Sequence, residues 1–144
     1  MTTPPRLPPA AGDLTQVRTA ADATAWLSHR ATEYLAEAKD EPSPDHARGL
    51  RLAGSTLEAI AEVSQEWRDG VTAADGLTRL ARCYPEEEIA DLPPEARYYQ
   101  LACGHVAESL GQVAAQLTHA TAPERVRRAS VGASERPVSR GRDL

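Results

Sequence analysis

Four histidines, two cysteines and several runs of carboxylates are the side chains of this 144-residue chain that could hold a metal, attack a substrate or move a proton. His29, His46, His105 and His119 never recur at the i, i+4 spacing that turns two imidazoles toward one ion on a helix, and the paired-cysteine zinc patterns are absent. His105 and Glu108 are three apart, but only once and in the order His-x-x-Glu. A di-metal carboxylate bundle needs Glu-x-x-His from two helices and glutamates from two more. Their angular position, opposite an apolar stripe, puts both on a solvated face. Cys103 and His105 point about 200° apart around a helix, so they make no nucleophile–base pair and Cys103 reads as core. The expectation is of no catalytic residue, no cofactor and no metal.

Other clusters point to contact rather than catalysis. Glu58, Glu62 and Glu66 line one ridge at successive i, i+4 steps, a solvated face or a docking ridge for a basic partner. Glu86, Glu87, Glu88 and Asp91 form an acidic linker. Near the C-terminus, Arg125-Val126-Arg127-Arg128-Ala129-Ser130 has the form of a site for a basic-directed kinase, making Ser130 a candidate for phosphorylation. The same arginines suit nucleic-acid phosphates, but they alternate with acids and lack aromatic stacking partners. Trp26, with Arg30 one turn on, is placed for cation–π stacking or as an interface anchor.

The elements that must position these residues are helical. Thr19 with Asp22 forms a capping box, and Ala20, Ala23, Leu27, Ala31, Tyr34 and Ala38 then recur three or four apart to about Lys39. An uncharged second face, Ala21, Ala25, Ser28, Thr32 and Ala36, accompanies that stripe. Ser43 as N-cap and Pro44 as first residue open a second helix. Its stripe is Leu50, Ala53, Leu57, Ile60, Ser64 and Trp67, its second flank is Leu52, Ala59 and Val63, and Gly70 is its stop. Thr72 with Asp75 opens a short third helix ending before Pro85. From Pro94 a long fourth helix carries Tyr99, Cys103, Val106, Leu110, Val113 and Leu117. Beside that stripe run Gly104, Ala107, Gly111 and Ala114, small residues that admit another backbone. Three long helices and one short predict an all-α antiparallel four-helix bundle.

Charge divides the chain into residues 1–18 at +1, 19–119 at −9 and 120–144 at +3, which sum to the net −5. The first segment, rich in proline, is expected to be extended and flexible, with Leu14 and Val17 its only docking residues. The last, rich in arginine and broken by Pro123, Gly132, Pro137 and Gly141, is expected to be disordered. No apolar run approaches the roughly 18–20 residues of a membrane span, no secretory pattern opens the chain, and two cysteines suggest thiols in a reducing cytoplasm. Fifteen arginines against one lysine reflect a GC-rich, bacterial codon pool. The function expected is a non-enzymatic helical module acting through a protein partner or homodimer, with Trp26, Gly104, Ala107, Gly111 and Ala114 as the interface. The alternatives are a nucleic-acid-associated regulator held by the basic tail, and a small-molecule or metal-binding bundle enzyme.

Overall fold

The computed structural model describes residues 13–84 and 93–141, the last ten as backbone only. It is all helical, with no strand among the described residues: α1 (Ala20–Asp40), α2 (Pro44–Ser64), α3 (Gly70–Ala81), α4 (Arg97–Ala120) and α5 (Ala122–Gly141). Single 3-10 turns precede α1 (Leu14–Gln16) and α4 (Pro94–Ala96). None of the described helices is long and apolar enough to cross a membrane.

Local chemistry sets the helix starts. The Thr19 hydroxyl accepts from the Asp22 amide at 3.1 Å, and the Asp22 carboxylate accepts from the Thr19 amide at 3.1 Å, closing the capping box of α1. Ser43 caps α2 through the His46 amide at 3.3 Å, with Pro44 first in the helix.

The end of α2 departs from expectation. The helix stops at Ser64, whose hydroxyl donates to the Ala61 carbonyl at 2.8 Å and pairs with Thr24 of α1 at 2.7 Å. Asp69, not Thr72, caps α3, accepting from the Thr72 amide at 3.0 Å. A carboxylate at the positive end of the helix dipole is a stronger cap than a hydroxyl. Gly70 is therefore the first residue of α3 and not a left-handed stop, and no described glycine has positive φ. Trp67 leaves the α2 stripe and lies against α3, where a Cβ on Gly76 would stand 2.7 Å from Trp67 Cζ2.

α1 and α2 pair antiparallel along their length: Thr24 meets Ser64, and Gly54 faces Ala31 and Leu35 further along. α3 does not continue the series by packing on α2. Both α2 and α3 pack on α4, which also touches α1, and α2 scarcely meets α3. These contacts describe an all-α fold organised on α4. α2 and α4 come close at Gly49, where a Cβ would stand 2.9 Å from the Tyr98 carbonyl oxygen and 3.1 Å from Leu101 Cβ. Leu27, Leu57, Leu77, Leu110 and Leu117, each fully buried, form the centre of the core.

The ends join the body further out than charge alone divides them. Val17 is fully buried, its carbonyl accepting from Gln116 Nε2 at 3.1 Å, and Leu14 packs beside it. Beyond α4, Thr121 is buried, close over Gly70, and α5 follows from Ala122. Exposed ion pairs tie its first turns to α3. Arg125 pairs with Asp75 at 3.1 Å, and Arg128 holds Asp69 with both Nη atoms, Nη1 at 3.1 Å. Among the described side chains of α5, Val126 and Val131 remain 65% and 51% exposed.

Candidate functional site

α4 is the element on which the other helices converge, and its own stripe explains why: Cys103, Val106, Leu110, Val113 and Leu117 are buried. Tyr99, expected in that stripe, is 44% exposed at its N-terminal end. The face across from the stripe is not uniformly solvated, because α1 lies against part of it. His105 packs against Tyr34 with ring centroids 4.9 Å apart and planes tilted by 42°, and His46, from the first turn of α2, stands 6.4 Å away. The Tyr34 and Ser109 hydroxyls satisfy each other at 3.2 Å in the core. His105 is thus half-buried, a correction to its expected outward placement, while Glu108 one turn on is exposed.

Trp26 also corrects its expectation. It is 2% exposed and belongs to the core, so it presents no anchor to a partner. The stacking with Arg30 does form: the guanidinium lies 5.9 Å from the Trp26 ring and 5.0 Å from the Tyr34 ring, and it pairs with Glu33 at 3.1 Å. Among the described residues, Trp26 Nε1, His29 Nδ1, Arg30 Nε and His105 Nε2 are buried without a hydrogen-bond partner. Three of the four lie on one stretch of α1 and the fourth on the facing part of α4.

Burial pushes the His105 imidazole below its ordinary pKa of 6.5, with His46 and Arg30 acting in the same direction and Glu108 and Glu37 against it. The folded chain then holds this proton less well than the unfolded chain. Its contribution is complete above pH 6.5 and is lost as the pH falls through the window below that value. Melting temperature is expected to decline on acidification from pH 7 toward pH 5. His105→Phe, which keeps a ring against Tyr34 without a titrating nitrogen, should flatten that decline. An unchanged slope in the variant would assign the acid sensitivity to another group.

The small-residue ridge divides. Ala114 is buried and Ala107 half-buried, whereas a Cβ on Gly104 or Gly111 would meet nothing within 4 Å. Next to Gly104, a groove of about 720 Å³ runs along α4, lined by Arg97, Gln100, Leu101, Gly104, His105 and Glu108. The close helix contacts inside the fold use Gly49 and Gly54, which the sequence pattern did not single out.

The remaining candidates stay apart from this groove. Glu58 and Glu62 are exposed on α2 and Glu66 in the turn after it, with Ala59 and Val63, expected as an apolar flank, exposed among them. Ser130 is exposed on α5 beyond the Arg128–Asp69 pair, and the acidic linker lies outside the described residues. Arg128 holds the Asp69 carboxyl well below the usual carboxylate range. Cys103 is buried and Cys83 exposed. No group of three or more potential metal ligands comes together among the described residues. No protein-family model, curated protein or solved structure matches the chain.

Proposed function

We propose that the chain is a non-enzymatic helical module of the cytoplasm that works by protein contact, either with a second copy or as the accessory subunit of a larger assembly. The open flank of α4 carries this reading. Glycine inside a helix costs about 1 kcal/mol relative to alanine, and such a cost is ordinarily offset where another backbone must come close. Gly49 and Gly54 have a neighbouring backbone oxygen within the chain and Gly76 has the Trp67 ring, but Gly104 and Gly111 have nothing within 4 Å of the Cβ position. Two helix-weakening residues on the central helix therefore suit a partner from outside. The uncharged, exposed face of α1 at Ala21, Ala25, Ser28, Thr32 and Ala36 adds further surface without charge to desolvate. The tail-held nucleic-acid reading has less support, since Arg125 and Arg128 are engaged by Asp75 and Asp69.

Gly111→Leu tests the proposal, because it adds bulk to the flank at a position whose Cβ would meet nothing within 4 Å. Light scattering of the wild type across about a hundredfold dilution should show association, and the variant should associate about tenfold more weakly with its melting temperature retained. A monomeric mass throughout, with no stoichiometric partner on purification, would overturn it.

A further inference from the structure

We propose that the partner on the α4 flank is the same helix of a second copy, lying antiparallel in a register that sets Arg97 opposite Glu108 of that copy, Gln100 opposite its His105 and Leu101 opposite its Gly104. This rests on the protein-contact reading and assigns its partner and geometry. All three pairs share one midpoint, between Ala102 and Cys103, so a single two-fold axis there forms each of them twice. The six residues are those that line the groove.

Charge selects the register. Arg97 is the first residue of α4, where the positive end of the helix dipole disfavours a cation, and the first turn of α4 has neither an acid nor a side-chain cap. Among the described residues neither Arg97 nor Glu108 has an ion-pair partner. The axis lies midway between them, so each carboxylate of one copy meets the unfavourably placed cation of the other. Moving Gly104 onto the axis would instead set Arg97 opposite Gly111 and leave both charges unpaired.

Packing fits the same register. Leu101 rests its Cβ against Gly49 of α2 and remains half-exposed beyond that contact. Gly104 is open, with nothing within 4 Å of the Cβ position. A leucine knob on one copy thus faces a glycine gap on the other, and two helices meeting across such gaps approach at the short end of the usual interaxial range. The Arg97 and Glu108 side chains lie at the exposed rim of that contact, where charge sets partner orientation more than affinity.

Sedimentation equilibrium on the full-length chain tests the register. Arg97→Glu and Glu108→Arg each place like charges opposite one another twice, and each should raise the dissociation constant about tenfold. Both positions are exposed and an acid at the start of α4 suits its dipole, so circular dichroism should show the fold intact. An equal mixture of the two variants should recover association to near the wild-type value. In that mixed dimer the introduced acid faces the introduced base on one side, while native Arg97 and Glu108 pair on the other. Wild-type association that neither variant weakens would overturn the register and leave the protein-contact reading standing. Weakening that the mixture does not relieve would also overturn it. A monomeric wild type overturns self-pairing, whereas the broader reading falls only if no stoichiometric partner is found as well.

Discussion

Leu110→Ala is expected to destabilise the fold by about 2–5 kcal/mol, read as a lowered midpoint in urea denaturation at unchanged slope. Leu110 is fully buried on α4, the helix that α1, α2 and α3 all contact. Truncating it opens a void that no single neighbour can close, because the helices around it are held by their other contacts with α4. Domains of this size are stable by only about 5–15 kcal/mol, so the loss is a large fraction of the whole. Glu62→Ala, on the exposed ridge of α2, should stay within about 0.5 kcal/mol. Equal losses at the two positions would mean that the buried and exposed faces are assigned the wrong way round.

Features set by residues a few positions apart were legible in the sequence. The Thr19–Asp22 box and the Ser43–Pro44 start are encoded within one turn, and both appear as expected. The boundary between α2 and α3 failed for an equally local reason. Two overlapping caps competed, and the charged Asp69 took the role that spacing assigned to Thr72.

Neighbours were less legible than faces. Periodicity shows that α2 has apolar residues to bury but not what will cover them, and the Gly49 contact with Tyr98 and Leu101 links residues far apart in the chain. His105 was misplaced for the same reason: being opposite the main stripe means solvent only when a helix is covered on one side, and α4 meets three helices. Trp26 sits at the edge of the α1 face, where a long side chain can reach the core even though its backbone position does not point there. The anchoring of α5 depends on Arg125–Asp75 and Arg128–Asp69, pairs 50 and 59 residues apart that composition cannot reveal.

Gly54→Ala and Gly104→Ala should move stability in opposite directions, though each adds one methyl to a helical glycine. At Gly54 the new Cβ would stand 2.7 Å from Leu35 Cγ and 3.0 Å from the Ala31 carbonyl oxygen. Leu35 can shift its side chain, but the backbone oxygen moves only with α1. Gly49→Ala is harsher still, meeting the Tyr98 carbonyl at 2.9 Å and Leu101 Cβ at 3.1 Å, so α2 must separate from α4. Overpacking of this kind costs about 1–3 kcal/mol, enough to outweigh the gain in helix propensity. At Gly104 and Gly111 no such contact exists, and alanine should stabilise by about 0.5–1 kcal/mol each, a rise of a few degrees in melting temperature for a chain of this length. Thermal melts in dilute protein, where any dimer has dissociated, isolate these effects from association. Losses at 104 and 111 as well would show that the α4 flank is already packed inside the monomer, and would remove the surface on which a second helix is proposed to lie.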